Sequence, residues 1–262
     1  MKKTKLYMGL PSTGDRSDFQ TYVLRDLEKK YGDKIEFVYP EHCTFRKFHD
    51  FARNAIVDEF LATDCDILWF LDSDIAPPPH VLDLITEHGE MWDLAGAPYP
   101  VFMTPEGYKG PQIVMCVYRS DDTGLHAAAV PQNGTAMVDG LATGCLFIKR
   151  DVLTKLSKPY FEFVFDKETR NLTEGEDLGF CRKVNDLGYK FFTDYSMVCK
   201  HYKHVDLLEV NNYAIDYSNQ SVLAYDATIR PTVERLIKRN KELTDALVAA
   251  QGKTRSGLYI PK

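Results

Sequence analysis

The sequence lacks paired-cysteine motifs, long apolar runs and an excess of positive charge. Its six cysteines show neither a CxxC pair nor the spacing of a zinc site. The longest strongly apolar run, Ile67 to Leu71, is far too short to cross a bilayer. Lysine and arginine number 32 against 38 acidic residues, for a formal charge of -6, which excludes a general attraction for nucleic acid or anionic lipid.

The composition is otherwise that of a globular protein. Of 262 residues, 44% are hydrophobic and 27% are charged, which excludes intrinsic disorder and a collagen-like chain. Most cysteines stand beside apolar residues, as small core residues of a reducing compartment do. The first ten residues lack the pattern of a signal peptide. We therefore expect a soluble, cytoplasmic protein without a transmembrane anchor.

Strand and helix signals alternate over the first hundred residues. Strands are predicted at 5–10, 35–39, 67–71 and 94–97, and helices around 19–27, 51–60 and 81–85. This alternation predicts an α/β fold with a mostly parallel central sheet flanked by helices.

The pattern changes after residue 98. A long loop is expected over 98–140, with one strand signal at 112–118, and a strand follows at 146–149. A helix is predicted over 173–188, capped by Gly188, and then a strand at 189–193.

Two domains are expected, the first over 1–210 and the second over 211–262. The second is predicted to be a C-terminal helical extension, because the chain after Pro231 is amphipathic with helical spacing. Its apolar face can pack on the first domain or pair with a second copy of the chain, and the sequence does not decide between them.

The most informative motif is the apolar strand that ends in Asp72-Ser73-Asp74. Residues two apart on an extended chain point the same way, so both carboxylates can face one ion. Their hard oxygens suit Mg²⁺ or Mn²⁺, and ligands of open α/β sheets bind at this edge. A plain turn after the strand is the alternative, since Asp and Ser are common there.

A second motif is Thr173-Glu174-Gly175-Glu176-Asp177 at the start of a predicted helix. Thr173 and Glu176 fit a capping box, which explains Glu176 as a structural residue. The box does not require Asp177, and a carboxylate that faces a cleft at a helix start can serve as a general base.

Three further segments carry polar or small residues that suit a binding site. His201 and His204 flank Lys203. Two histidines so close to a lysine weakly favour a role in metal or phosphate binding over a plain solvated histidine. Arg53-Asn54 lies within a helix, where a solvated face is the simpler explanation. Thr143-Gly144 precedes a strand, and glycine there permits close approach of a ligand or of backbone.

Taken in this order, these segments resemble the GT-A glycosyltransferases, particularly the inverting family-2 type, over about residues 4–204. The resemblance rests on the loop Leu10-Pro11-Ser12-Thr13, the helix with Arg53-Asn54, FLDSD at 70–74, GLATGCLFIKRDVL at 140–153, and GEDLGFCRKVNDLGYKFFTD at 175–194 followed by His201. It implies a GT-A fold, the Rossmann-like fold of nucleotide-diphospho-sugar transferases, with a nucleotide half over about 1–97 and an acceptor half over about 98–210.

The resemblance implies that five residues bind the nucleotide around its base, ribose and phosphates. Pro11, Ser12 and Thr13 would line the base and ribose. Arg53 would lie near the phosphates, and Lys203 would add a mobile cation there.

The resemblance also implies a divalent cation, Mn²⁺ or Mg²⁺, that bridges the diphosphate. Asp74 and His201 would hold it. Asp72 would approach the ribose or a metal-bound water, and it is a possible third ligand.

The remaining roles concern the transferred sugar. Asp177 resembles the catalytic base that takes the proton from the acceptor hydroxyl. Thr143, Gly144 and Glu176 would lie beside the donor or acceptor sugar. Trp92 is expected in the hydrophobic core, with a stacking face for a sugar as the alternative.

The implied reaction moves a hexose from a UDP-sugar to an acceptor hydroxyl with inversion. UDP-glucose is the first choice of donor and GDP-mannose the alternative. The acceptor stays open among a glycan, a lipid-linked sugar, a protein and a small molecule. The Gln-Arg-Trp motif of processive synthases is absent, which favours single transfers.

Three other classes fit parts of the pattern. A haloacid-dehalogenase-like phosphatase also ends an apolar strand in DxD, but usually near the chain start and with Thr or Val two residues later, where this chain has Ala76. A non-catalytic sugar-nucleotide or glycan-binding protein would keep the fold without turnover. A nucleotidyltransferase usually carries a glycine-rich phosphate loop, of which residues 11–16 are a poor version.

Overall fold

A computed structural model describes residues 2–11, 18–40, 48–103, 112–122, 124–128, 133–202 and residue 238. The chain divides into two compact units, Met1–Lys203 and His204–Lys262. All elements below belong to the first unit. The predicted C-terminal extension, with its helix after Pro231, lies outside the described residues apart from residue 238, which is helical.

Five helices fall within the described residues. They are α1 (Asp18–Tyr31), α2 (His49–Leu61), α3 (Asp83–Thr86), α4 (Arg150–Lys155) and α5 (Glu176–Asp186).

The strands of the same residues are mostly short. They are β1 (Thr4–Gly9), β2 (Ile35–Val38), β3 (Ile67–Leu71), β4 (Ile75–Ala76), β5 (Leu94–Gly96), β6 (Pro100–Met103), β7 (Gln112–Met115), β8 (Val117–Asp121), β9 (Gly124–Ala127), β10 (Thr135–Val138), β11 (Gly140–Leu141), β12 (Cys145–Lys149), β13 (Val164–Phe165), β14 (Leu172–Glu174), β15 (Phe191–Asp194) and β16 (Lys200–His201).

A seven-stranded sheet in the order β10-β15-β5-β12-β3-β1-β2 forms the centre of the first unit. The apolar run predicted as a buried strand becomes β3, in the interior of this sheet, and all five of its residues are buried. Alternate side chains of β3 enter two separate cores. Trp69 packs in the cluster that includes Leu27 of α1, and Phe70 in the cluster that includes Phe60 of α2. Helices therefore cover both faces, and the predicted mixture of helices and strands is confirmed.

The expectation of a mostly parallel sheet is wrong, because three of its six strand pairings are antiparallel. β12 runs opposite to both β3 and β5, and β10 runs opposite to β15. The reason lies in the segment before β12. The chain leaves β5 at the carboxyl edge of the sheet, builds β6 to β9 and β11 outside it, and starts β12 at that same edge, where Cys145 pairs with Leu71.

The strand signal at 112–118 is confirmed as β7 and β8, but the rest of the segment 98–140 is not the long loop that was expected, since its other described parts also form strands. β6 pairs with β7, and β8 pairs with β9 and β11, as small antiparallel sheets. Strand signals were weak there because the strands are short and partly exposed, so their sequences lack a continuous apolar pattern.

The cysteine prediction agrees with the structure as far as it is described. Five cysteines are free and buried, at positions 65, 116, 145, 181 and 199. Cys43 lies outside the described residues. None of the helices described here has both the length and the apolar character that a membrane span requires.

Candidate functional site

A cavity of about 350 Å³ opens at the carboxyl edge of the central sheet. The ends of β1, β3 and β5, the start of β12 and the first turns of α2 and α5 contribute to it, where open α/β sheets bind their ligands. Its lining residues are Pro11, His49, Ala52, Arg53, Asp72, Ser73, Asp74, Tyr99, Val101, Thr143, Glu176, Asp177 and His201. Four carboxylates and one guanidinium face this space, so the described lining is strongly acidic.

Arg53 joins the end of β3 to the start of α5. Its side chain is 4% exposed, and it donates to both carboxylate oxygens of Asp72 at 3.2 and 3.1 Å and to Glu176 Oε1 at 3.1 Å. Burial lowers the pKa of the guanidinium, but the two carboxylates more than offset this and raise it. A buried charge needs such partners, so the simpler explanation of a solvated helix face does not hold for Arg53.

The first turn of α5 presents two acids to the cavity, and the predicted capping box is absent. Gly175 is the N-cap residue without a side-chain hydrogen bond, and the Thr173 hydroxyl instead donates to the carbonyl of Val164 at 2.9 Å. Glu176 is therefore released from a capping role and pairs with Arg53. Burial raises the pKa of Glu176, although the charge of Arg53 acts in the opposite direction.

Asp177 is a partly buried carboxylate at the start of α5, and burial and nearby positive charge act on its pKa in opposite directions. Its Oδ1 accepts the Leu178 amide at 2.9 Å, which orients the carboxylate at the helix start. Burial raises its pKa, while the positive charge of Arg53 and the amide hydrogen bonds of the helix lower it. A carboxylate whose pKa is raised in a cavity is a better base than one in water, and such groups concentrate at functional sites.

Asp74 and His201 lie together on the other side of the motif. Antiparallel pairing of β16 with β4 sets His201 beside Ile75, and the Tyr202 amide donates to the Asp74 carbonyl at 2.8 Å. His201 Nδ1 is 2.6 Å from the carbonyl oxygen of Pro100, which can only accept, so Nδ1 carries the hydrogen. His201 Nε2 then faces Asp74 Oδ2 at 3.2 Å.

The residues present fit a divalent cation at this pair. In a neutral imidazole with a hydrogen on Nδ1, the Nε2 lone pair of His201 faces the Asp74 carboxylate, and two acceptors so placed need a proton or a cation between them. Adjacent ligands of an octahedral ion at about 2.1 Å lie about 3.0 Å apart, close to the observed 3.2 Å. Among the residues that the structure describes, no three His, Cys, Asp or Glu side chains converge as a metal site.

The possible role of Asp72 as a third metal ligand is not supported by its contacts. Both of its carboxylate oxygens accept hydrogen bonds from Arg53, and its backbone amide donates to the Gly144 carbonyl at 3.0 Å. The buried guanidinium requires this carboxylate as a counter-ion, so the Asp72 carboxylate is directed toward Arg53 of α2.

Eight of the residues predicted for the site line the cavity. They are Pro11, Arg53, Asp72, Asp74, Thr143, Glu176, Asp177 and His201. Gly144 lies directly behind, where its amide donates to the Tyr99 hydroxyl at 3.1 Å. Ser12, Thr13 and Lys203 lie outside the described residues.

Trp92 lies in the hydrophobic core, as was expected first, and not at the site, which was the alternative. It is 2% exposed in the hydrophobic core, and its indole N–H donates to the carbonyl of Leu84 at 2.8 Å. The side chain thus satisfies its one polar group inside the protein and offers no face to a sugar.

Sequence reasoning missed five residues of the lining, His49, Ala52, Ser73, Tyr99 and Val101, of which Tyr99 and His49 have the largest side chains that can hydrogen-bond. Tyr99 follows β5, and its position after a strand at the carboxyl edge was the available signal. His49 opens α2, with Nδ1 3.8 Å from Glu176 Oε1, and nothing in its local sequence distinguishes it.

The comparisons with known proteins give distant structural likenesses. No protein-family model and no curated protein matches the chain. The crystal structure of A197 from STIV aligns with a TM-score of 0.49 and 22% identity over 77% of this chain and 86% of that chain. The crystal structure of GalNAc-T7 with UDP, GalNAc and Mn²⁺ aligns with a TM-score of 0.46 and 12% identity over 78% of this chain and 44% of that one. With both TM-scores below 0.5, these likenesses assign no activity to this chain.

Proposed function

We propose that this protein is a GT-A glycosyltransferase that moves a hexose from a nucleoside-diphosphate sugar to an acceptor hydroxyl with inversion. The observation that carries the proposal is the meeting of Asp74, His201 and Asp177 in one cavity at the carboxyl edge of the sheet. Residues from three distant parts of the sequence supply a cation-binding pair and a base. The ordered motifs that resemble the GT-A enzymes support the same conclusion.

The charge of the cavity explains why such an enzyme needs a cation. Four carboxylates repel a diphosphate, and Arg53 is already paired with Asp72 and Glu176. Asp74 and His201 would hold Mn²⁺ or Mg²⁺ against the phosphate oxygens. When bound, the ion supplies a Lewis acid that stabilises the charge of the departing nucleoside diphosphate.

The other lining residues would place the two substrates. Pro11 lies at the end of β1, with Ser12 and Thr13 next in the chain, on the side proposed for the base and ribose. Thr143 begins the segment that leads into β12 and is proposed to contact the donor or acceptor sugar.

Asp177 would act on the acceptor. Its carboxylate takes the proton from the acceptor hydroxyl as that oxygen forms a bond to the anomeric carbon. The bond between this carbon and the phosphate oxygen breaks on the opposite face, which inverts the centre. The helix amide at Oδ1 holds the carboxylate in place. A positioned base contributes about 10²–10⁴-fold to rate.

UDP-glucose is the first donor proposed, with GDP-mannose as the alternative, and the acceptor class stays open. A phosphatase of the haloacid-dehalogenase type would use Asp72 as its nucleophile. That carboxylate forms an ion pair through both oxygens, so no contact favours this second function.

The test is a screen of UDP-glucose and GDP-mannose for nucleotide release with and without Mn²⁺. We expect Mn²⁺-dependent release that falls about 10²–10⁴-fold in Asp177→Asn, with UDP binding retained. Asp186→Asn, at the exposed other end of α5, is the matched control and should keep full activity. Phosphate release from simple phosphomonoesters with no donor cleavage would contradict the proposal, as would full turnover by Asp177→Asn.

A further inference from the structure

Tyr99 contacts two parts of the site that are far apart in the sequence. It is 7% exposed, lines the cavity and lies between β5 and β6, directly before Pro100. Its hydroxyl oxygen accepts the Gly144 amide at 3.1 Å, and its ring meets the His201 imidazole edge-on, with centroids 5.3 Å apart and planes at 84°. One side chain therefore touches both the start of β12 and a residue of the cation-binding pair.

The hydroxyl side of Tyr99 leads to the end of β3. The Gly144 amide donates to the tyrosine oxygen, and the Gly144 carbonyl accepts the Asp72 amide at 3.0 Å. The packing leaves no space for a side chain at Gly144, because a Cβ added there would lie 2.7 Å from the Tyr99 oxygen. The position of the Asp72 backbone thus depends on the phenol through a single residue, Gly144.

The ring side of Tyr99 leads to the imidazole. The next residue, Pro100, supplies the carbonyl that accepts from His201 Nδ1 at 2.6 Å, while the Tyr99 ring packs against the imidazole. Together these contacts fix both the tautomer and the direction of the ring, so that Nε2 points toward Asp74. Groups behind a ligand that fix its tautomer and orientation typically change metal affinity or activity about 10–100-fold.

We propose that Tyr99 is a positioning residue that holds the His201 imidazole and the Gly144–Asp72 backbone in their working arrangement. The proposal rests on the function proposed above, since it needs His201 to bind a cation. Tyr99 acts through its neighbours and not on the substrate.

Two substitutions separate the two sides of the residue. Tyr99→Leu removes the ring, and we expect Mn²⁺ affinity, measured from the EPR signal of free Mn²⁺ with UDP present, to fall about 10–100-fold. Tyr99→Phe keeps the ring and removes the hydroxyl. We expect its Mn²⁺ affinity to stay within about threefold of wild type while kcat for donor cleavage falls about tenfold at unchanged KM.

Tyr118 provides the matched control. It is also 7% exposed and belongs to the same core cluster, but it is outside the cavity lining. Tyr118→Leu and Tyr118→Phe should leave Mn²⁺ affinity at the wild-type value in protein that is folded by circular dichroism.

The outcomes distinguish the two proposals. If wild type binds no Mn²⁺ in the presence of UDP, the proposed function fails and this inference with it. If wild type binds Mn²⁺ and Tyr99→Leu binds it equally well, only the positioning role is overturned. The same holds if Tyr118→Leu weakens Mn²⁺ binding as much as Tyr99→Leu. Should Tyr99→Leu not fold, Tyr99→Phe decides the question, because unchanged kcat in that variant contradicts the role of the hydroxyl.

Discussion

At the scale of single residues, the resemblance to the GT-A enzymes, and not the residue types alone, predicted which acids and which histidine would meet. Asp74, Asp177 and His201 were all predicted, and the structure brings them to one cavity. The partners of Arg53 were not predictable in the same way. Glu176 is 123 positions away, and only the folded chain shows that a helix guanidinium bridges it to Asp72.

The charge of Arg53 should set the acidic limit of activity. Its positive charge lowers the pKa of Asp177, against the raising effect of burial. Arg53→Met removes that charge, so the pKa of Asp177 should rise, and the base should stay protonated to higher pH. We expect the acidic limb of the kcat/KM profile to move up by about one pH unit or more, since a nearby opposite charge is worth about 1–3 units.

The position of this limb does not depend on the fraction of folded enzyme, so it remains readable if the variant is less stable. Arg182→Met is the control, since Arg182 also pairs with an acid, Glu174, but on the exposed side of α5. An acidic limb that stays in place, or that moves to lower pH, contradicts the electrostatic role of Arg53.

The charged form of Asp177 should lower the free energy of unfolding near neutral pH, where the proposed base is deprotonated. Because burial raises its pKa, the folded protein keeps the proton over a range in which the unfolded chain has lost it. Stability therefore falls as pH rises through that range, which starts near the ordinary carboxyl value of about 3.9. Asp177→Asn keeps the oxygen that accepts the Leu178 amide and removes the charge.

We expect Asp177→Asn to raise Tm by about 2–4 °C at pH 7, the effect of about 1 kcal/mol for a chain of this size. Calorimetry or dye-based melting at pH 7 and at pH 3.5 checks this. The gain should largely disappear at pH 3.5, where the Asp177 side chain of wild type is mostly protonated in both states. An equal gain at both pH values, or a lower Tm at pH 7, would show that the charge of Asp177 is not the cause.

At the scale of elements, apolar periodicity predicted the interior strands and the longer helices well. β3 was predicted with its observed bounds, and α1 and α2 lie where the spacing placed them. Gly188 adopts φ +79 after α5, as its predicted capping role requires. Strand direction was not predictable, because the periodicity of β12 is the same whichever way the strand runs.

Asn54 connects α2 to the segment that leads into β13 and β14, although the sequence suggested only a polar helix face. Its amide nitrogen donates to the carbonyls of Asp50 and Phe161 at 2.8 and 2.7 Å, and its oxygen accepts the amides of Tyr160 and Phe161 at 2.7 and 3.1 Å. All four hydrogen-bonding positions of this side chain are used.

Asn54→Ala should lower the free energy of unfolding by about 2–3 kcal/mol, because it leaves buried backbone groups without partners at about 1–3 kcal/mol each. Urea denaturation measures this. Asn185→Ala is the control, since Asn185 makes one such contact, to the Asp139 carbonyl at 2.6 Å, and should cost about 1 kcal/mol. Equal losses for the two variants would contradict the connecting role of Asn54.

At the scale of the whole molecule, the composition predicted a globular protein but not how its charges are distributed. A formal charge of -6 over 262 residues is mild, yet four carboxylates and one guanidinium line a single cavity. A polyanion would need a cation to enter such a cavity, and this requirement is the central claim of the proposed function. It follows from residues that lie on separate strands and helices and meet only in the folded chain.

The most direct measurement of that claim is calorimetric titration of UDP into the protein with and without Mn²⁺, for wild type and Asp74→Ala. Asp26→Ala, an exposed residue of α1, is the matched control. We predict that wild type and the control bind UDP only with Mn²⁺. Asp74→Ala should lose at least about 100-fold in UDP affinity, because removal of a group that only supports a metal ligand already costs about 10–100-fold. Equal UDP affinity with and without Mn²⁺, or wild-type affinity in Asp74→Ala, would contradict the account.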